Sequence, residues 1–168
     1  MKILFVSQHY RPEPFRLSDI CEDLVERGHE VTVLTGIPNY PEGKIYADYR
    51  NNKNRRETIE GVTVFRSYTI PRGKSTLHRI LNYFSFAISS SIGVLLGQYK
   101  AKDGSEFDCI FVNQSSPVMI AWAGMAYKNK YKKPLFLYCM DVWPDSLTVG
   151  GVKQDGLIFK LFKFISKK

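Results

Sequence analysis

The chain has 168 residues, 44% of them hydrophobic, which is the size and composition of one domain with a single apolar core. Lysine and arginine number 24 against 16 aspartate and glutamate residues, for a formal net charge of +8. A surface of this charge favours anionic partners such as phosphorylated ligands or anionic lipid, but no recognition-helix or RNA-binding pattern is present, so we expect no nucleic acid.

The first part of the chain predicts a β-α-β unit. Lys2–Ser7 is a short apolar run typical of a buried strand. Arg16–Arg27 carries apolar residues at helical spacing, and Gly28 follows as a common helix stop. Glu30–Thr35 is a second apolar strand. Such units build parallel sheets.

The rest of the chain continues the alternation of strands and helices after a long irregular stretch, Gly36–Gly61. The predicted elements are a strand Val62–Ser67, a helix Ser75–Gln98, a strand Phe107–Asn113, a helix Pro117–Tyr131, a buried strand Pro134–Cys139, a loop Asp141–Gly151 and an amphipathic helix Leu157–Ile165. This order predicts an α/β fold with a Rossmann-like, doubly wound parallel sheet. Ligands of such sheets bind in the loops that follow the carboxyl ends of the strands.

The loop after the first strand lacks the G-x-G-x-x-G pattern, which counts against a dinucleotide-binding domain. Side chains replace the glycines, and His9 and Arg11 have the chemistry to hold a phosphate or a sugar hydroxyl. The alternative is a polar loop whose prolines only set its path. We expect the loop to line the ligand cleft through Gln8, His9, Tyr10, Arg11 and Glu13.

Three later loops carry further candidates. Asn39 and Tyr40 suit contacts with a sugar, and equally suit a packed surface loop. Asn113, Ser115 and Ser116 lie at a helix start, where capping is the alternative role of the serines. Asp141 has the carboxylate needed to bind a substrate hydroxyl. No histidine spacing or cofactor motif indicates a metal or a cofactor.

The predicted helix Ser75–Gln98 has a basic entrance formed by Arg72, Lys74 and Arg79, followed by apolar and aromatic residues. This pattern is typical of an element that docks on anionic lipid. The alternative is a core helix covered by the sheet. The N-terminal apolar run is too short for a signal peptide, and no stretch reaches the ~18 apolar residues of a membrane span. We therefore expect a cytoplasmic protein.

Several motifs resemble family 4 glycosyltransferases, most of all the N-acetylfucosaminyltransferase-like enzymes of bacterial O-antigen and capsule synthesis. The motifs are Lys2-Ile3-Leu4-Phe5-Val6, Gln8-x-Tyr10-x-Pro12-Glu13, Leu24-x-x-Arg27-Gly28-His29-Glu30-Val31-Thr32-Val33-Leu34-Thr35, Gly36-x-Pro38-Asn39-Tyr40-Pro41-x-Gly43 and Asp141-x-Trp143-Pro144-Asp145. The resemblance extends over essentially the whole chain. The Pro-Asn-Tyr-Pro and Asp-x-Trp-Pro motifs are its most specific parts.

The resemblance implies a GT-B fold, in which residues 1–168 form a single acceptor-binding domain and a donor-binding domain lies outside this chain. It implies a retaining, metal-independent transfer from a nucleotide-sugar donor to a saccharide or polyprenyl-diphosphate-linked acceptor, at the inner face of the cell membrane. Asp141 would then act near the reacting centre, the other loop residues would bind the acceptor, and Arg72, Lys74 and Arg79 would meet lipid phosphate. The alternative is a non-catalytic, membrane-recruiting subunit that pairs with a separate donor-binding chain.

Overall fold

The structure is a computed structural model that describes residues 1–149 and 153–166. The strands are β1 (Lys2–Val6), β2 (Glu30–Thr35), β3 (Arg56–Ile59), β4 (Val62–Arg66), β5 (Cys109–Gln114) and β6 (Leu135–Cys139). The helices are α1 (Leu17–Glu26), α2 (Thr76–Leu95), α3 (Ala121–Tyr131), α4 (Ser146–Val149) and α5 (Leu157–Ser166), with short 3-10 segments at Ala47–Asn52 and Val118–Ile120.

The six strands form one sheet in the order β3-β4-β2-β1-β5-β6. All neighbouring pairs are parallel except β3 with β4. The connection after β1 leads to β2 on one side, whereas β5 returns to the other side of β1. The strand order therefore reverses at β1, which confirms the predicted doubly wound sheet and marks the place where such sheets bind ligands.

Strand β1 is buried on both faces, which explains why its sequence is apolar without alternation. Ile3 and Phe5 belong to the core that α1 covers. Leu4 and Val6 belong to the opposite core, which α2 and α3 cover. The chain turns from α1 into β2 at Gly28, whose φ of 83° needs a residue without a side chain.

The predicted irregular stretch Gly36–Gly61 contains one strand, β3, that the sequence analysis did not identify. It pairs with β4 through a tight turn at Glu60 and Gly61, which have φ values of 46° and 78°. Positive φ at both central residues is the geometry that suits the twist of a hairpin. The strand was missed because its residues are mostly polar and lie at the sheet edge.

Strand β6 is exposed, which corrects the expectation of a buried strand at Pro134–Cys139. Phe136, Leu137 and Tyr138 are 56%, 48% and 49% exposed. The strand lies at the end of the sheet, and no helix in the described part of the chain covers its Phe136 side. The predicted loop after β6 contains the short helix α4, and residues 150–151 of that loop lie outside the described residues.

Ser75 caps the start of helix α2, because its hydroxyl accepts the backbone N–H of His78 at 3.2 Å. One face packs on the sheet through buried residues such as Phe86 and Val94. The opposite face leaves a row of apolar side chains 40–62% exposed: Leu77, Leu81, Ile88, Ile92 and Leu95. The core-helix interpretation therefore holds for one face of α2, and the other face is apolar and exposed, so lipid docking there stays a prediction.

Helix α5 packs beside α2. Its buried Phe162 lies 6.4 Å from the ring of Phe84 on α2 and 5.1 Å from the ring of Trp143. Leu157, Leu161 and Phe164 on its other side are exposed. Among the helices that the structure describes, none has both the length and the apolar composition needed to cross a membrane.

Candidate functional site

Polar side chains gather at the carboxyl ends of β1 and β5, on either side of the point where the strand order reverses. Asn113 at the end of β5 donates to the hydroxyl of Ser7 at 3.3 Å, and Ser7 donates to the carbonyl oxygen of His9 at 2.9 Å. All three residues are buried. The loop after β1 is thus fixed against β5 where the predicted ligand site lies.

Glu13 connects the loop after β1 to the loop after β2. One oxygen of its carboxylate accepts the backbone N–H groups of Asn39 and Tyr40, at 2.8 and 2.7 Å. The other lies 2.9 Å from Nδ1 of His9. The side chain is 3% exposed, and its hydrogen bonds are made within the protein. Both carboxylate oxygens of Glu13 therefore position other residues of the candidate site, and a direct contact of Glu13 with the acceptor stays a prediction.

His9 is held between Glu13 and two aromatic rings. Its ring stacks on Phe15 at 4.7 Å and lies 5.7 Å from the ring of Tyr40. A carboxylate at Nδ1 favours the tautomer with its proton there, which leaves Nε2 of a neutral ring as a hydrogen-bond acceptor. His9 thus retains a polar atom for a ligand hydroxyl.

Asn39 ties the loop after β2 to the loop after β4. Its amide donates to the carbonyl of Ile37 at 2.8 Å, and its Oδ1 accepts the backbone N–H of Arg72 at 2.9 Å. The residue is 2% exposed. Its neighbour Tyr40 is half-buried and keeps part of its ring on the surface, so Tyr40 is the better placed of the two for a ligand.

Tyr10 and Arg11 contact helix α1 and the core beneath it. Tyr10 is fully buried in the core with Leu17 and Cys21, and burial raises the pKa of its hydroxyl well above the usual range. Arg11 forms a two-pronged ion pair with Glu22 on α1, at 2.5 and 3.0 Å. Tyr10 therefore presents no surface to a ligand, whereas Arg11 is 40% exposed and lines a cleft of about 330 Å³, so its contact with a ligand stays a prediction.

Gln8 is buried and faces α2, where its amide donates to Asn82 at 2.6 Å. Asn82 donates in turn to the carbonyl of Ile70 at 2.6 Å. The other end of the Gln8 amide, Oε1, has no hydrogen-bond partner among the described residues. Gln8 therefore connects the loop after β1 to α2 and keeps one free acceptor.

Asp141 and Ser116 both contact the indole of Trp143, which was not among the predicted site residues. The N–H of Trp143 lies 3.0 Å from Asp141 Oδ2 and 3.0 Å from the Ser116 hydroxyl. Gln114, also missed, donates to the backbone oxygen of Asp141 at 2.9 Å. Ser116 does not cap the following helix, and the nearby Ser115 is half-buried. The loops after β5 and β6 are thereby joined at Asp141.

Arg72, Lys74 and Arg79 line one open cleft of about 440 Å³ between the loops after β2 and β4. The opposite wall is formed by Tyr40, Pro41 and Glu42. The structure thus brings together Tyr40, predicted to bind the acceptor, and the cations predicted to meet lipid phosphate. Within residues 1–149 and 153–166, no group of three or more acidic, histidine or cysteine side chains is arranged to hold a metal ion.

Comparison with known proteins finds similarity to glycosyltransferases. No protein-family model matches the chain. Over 96 residues it is 38% identical to a putative colanic acid biosynthesis glycosyl transferase, WcaI, of Escherichia coli K12, a match that covers 54% of this chain and 23% of that protein. The fold is similar to the crystal structure of CalG4, the calicheamicin glycosyltransferase, with a TM-score of 0.52 and 14% identity, over 99% of this chain and 42% of that one.

These similarities confirm the predicted fold class, a Rossmann-like domain similar to that of GT-B glycosyltransferases. The chain spans less than half of the CalG4 chain, and the match to WcaI spans about a quarter of that protein. The assignment to the N-acetylfucosaminyltransferase-like subgroup stays a prediction.

Proposed function

We propose that this chain is the acceptor-binding half of a glycosyltransferase of surface polysaccharide synthesis. The observation that carries the proposal is its 38% identity, over 96 residues, to a putative glycosyl transferase of colanic acid synthesis. A second domain supplies the nucleotide-sugar donor, and the transfer needs no metal and retains the anomeric configuration.

The acceptor binds along the carboxyl edge of the sheet, between the loops after β1, β2, β5 and β6. His9 Nε2 and the exposed part of Tyr40 contact it from one side. Asn113, Ser115 and Ser116 lie on the other side. Asp141 binds the hydroxyl that receives the sugar, because its carboxylate is the acidic group at the junction of the β5 and β6 loops.

The chemical contribution of this half is to position the acceptor hydroxyl against the donor carbon. Fixed geometry of this kind removes much of the entropic part of a bimolecular barrier. The Trp143 N–H, 3.0 Å from the Asp141 carboxylate, holds that carboxylate in one orientation before the acceptor arrives. The donor-binding domain stabilises the nucleotide that leaves the donor.

We also propose that α2 and α5 dock the protein on the inner face of the cell membrane, where a lipid-linked acceptor is presented. Both helices expose apolar side chains on one face and lie side by side through Phe84 and Phe162. The sequence has no aspartate or glutamate at residues 75–102 or 156–168, whereas it has Lys160 and Lys163 in the second of these ranges. Apolar and cationic surface together favour an anionic bilayer.

The test is to read the coding sequence beyond Lys168 and assay its product. We expect a second α/β domain, and transfer of sugar from a nucleotide sugar to a polyprenyl-diphosphate-linked saccharide, measured by mass spectrometry of the lipid product. Residues 1–168 alone should give no product. A stop codon after Lys168 with no donor-binding partner, or a complete protein inactive with every nucleotide sugar tested, would favour the non-catalytic membrane-recruiting role instead.

A further inference from the structure

The open cleft between Tyr40 and Arg79 has three cationic side chains and a single acidic one, Glu42, among its lining residues. Three of the seven other arginines pair with carboxylates: Arg11 with Glu22, Arg27 with Asp23 and Arg66 with Glu57. Neither Arg72, Lys74 nor Arg79 has a carboxylate within 4.0 Å among the described residues. Their charge is therefore available to an anionic ligand.

The cleft is preformed because direct contacts join its two walls. Asn39 Oδ1 accepts the backbone N–H of Arg72 at 2.9 Å. The walls also touch at two glycines, since a Cβ on Gly43 would lie 3.0 Å from the nitrogen of Gly73. Gly43 and Gly73 have φ values of 68° and 51°, which favour glycine on conformational grounds as well. The spacing of the walls is thereby fixed without a ligand.

Arg72 is also held in position by aromatic rings. The centre of its guanidinium lies 5.8 Å from the ring of Tyr40 and 6.0 Å from the ring of Tyr83. Both rings attract the cation and restrict its movement while leaving its N–H groups without an acidic partner. A guanidinium restrained in this way is suited to the oxygens of a phosphate.

We infer that this cleft is a binding site for a diphosphate or phosphate ester, with Arg72, Lys74 and Arg79 as its cationic contacts. The identity of the ligand rests on the proposed function. The ligand is the diphosphate of the lipid-linked acceptor, and the cleft does not bind the headgroups of the surrounding membrane lipids. The ring of Tyr40 lies 5.7 Å from that of His9. A diphosphate in the cleft therefore places the attached group beside Tyr40 and within reach of His9.

Calorimetric titration of the 168-residue chain with inorganic pyrophosphate tests the site without donor or transfer. We expect binding, and at least tenfold weaker binding by the double variant Arg72→Gln/Arg79→Gln. The charge-matched control is Lys53→Gln/Lys128→Gln, which removes two exposed cations outside the cleft and should bind as the unaltered chain does. Circular dichroism melts establish that both variants are folded.

No binding by the unaltered chain, or equal loss in both double variants, would overturn the inference. A second titration uses vesicles of phosphatidylcholine and phosphatidylglycerol. If Arg72→Gln/Arg79→Gln loses vesicle binding but keeps pyrophosphate binding, the cations contact lipid headgroups and the diphosphate site is wrong. If pyrophosphate binding fails while the complete protein still transfers sugar, the site alone is refuted and the proposed function stands.

Discussion

Glu13 accepts the backbone N–H of Asn39 at 2.8 Å, although the two residues lie 26 positions apart in the chain. The same carboxylate reaches Tyr40 and His9. One buried side chain thus holds the loop after β1 against the loop after β2, and Asn39 extends the connection to the loop after β4. The carboxyl edge is organised before any ligand binds, which lowers the entropic cost of binding.

Replacing Glu13 by alanine should destabilise the domain. Three donors, two of them buried, would lose their acceptor: the His9 ring and the backbone N–H groups of Asn39 and Tyr40. We expect a loss of about 2–4 kcal/mol in the free energy of unfolding. The melting temperature should fall by roughly 5–15 °C in a thermal melt. Glu13→Gln should cost less, because its amide oxygen still accepts from the loop and its NH₂ can donate to the other tautomer of His9.

The control is Glu26→Ala, an exposed glutamate on α1 with no hydrogen bond from its side chain in the described structure, which should change the free energy of unfolding by less than about 0.5 kcal/mol. Equal melting temperatures for Glu13→Ala and Glu26→Ala would contradict the role given to Glu13.

Replacing Asp141 by asparagine should lower turnover without unfolding the protein. The Trp143 N–H keeps an oxygen acceptor in asparagine, so the loops after β5 and β6 stay joined. The lost negative charge should reduce kcat on the order of 10–100-fold in the catalytically complete protein. Asp145→Asn alters an exposed aspartate of the same loop and should leave kcat unchanged. Unchanged turnover in Asp141→Asn would remove this residue from the reacting centre.

Introducing charge on the exposed face of α2 should weaken membrane binding. Leu81 and Ile88 are 40% and 48% exposed, and Leu81→Glu/Ile88→Glu would put two anions against an anionic surface. We expect at least a tenfold loss of binding to phosphatidylglycerol-containing vesicles in co-sedimentation. Ile20→Glu on α1, which is 45% exposed, provides the matched control and should sediment normally. Vesicle binding that survives the α2 substitutions would argue against docking through this face.

Thiol labelling should distinguish one cysteine from the other two. Cys139 is exposed at the end of β6, whereas Cys21 and Cys109 are buried. Burial raises the pKa of the Cys21 thiol to about 12 and also raises the pKa of Cys109. Near pH 8, Ellman's reagent should therefore react quickly with one thiol per native chain and with all three after denaturation. The fast reaction should vanish in Cys139→Ser; a second fast thiol would contradict the burial of the other two.

Much of the fold was predictable because local patterns and tertiary structure agree. The apolar runs at Lys2–Val6 and Glu30–Thr35, with an amphipathic helix between them, predicted a β-α-β unit that the structure contains. Strand β3 was not predictable in this way, because edge residues such as Arg56 and Thr58 have no apolar face to reveal them. The burial of β6 was misjudged because an apolar run does not tell whether another element covers it.

The position of the candidate loops was predictable from topology, but the contacts of their side chains were not. The strand order places the candidate loops at one edge. Whether Glu13 meets a ligand or the backbone of Asn39 depends on a contact between distant parts of the chain. Trp143 gave no signal beyond its place in a motif, and only the fold brings its N–H to both Asp141 and Ser116.

The exposed edge at β6 has a practical consequence for handling the chain. Its backbone N–H and C=O groups on the outer side have no strand partner among the described residues, and Phe136, Tyr138 and Met140 lie exposed beside them. An open edge with apolar flanks is a template for pairing with another polypeptide. Concentrated solutions of residues 1–168 should therefore self-associate, and a lysine at position 136 or 138 should improve their solubility while leaving the carboxyl-edge loops unaltered.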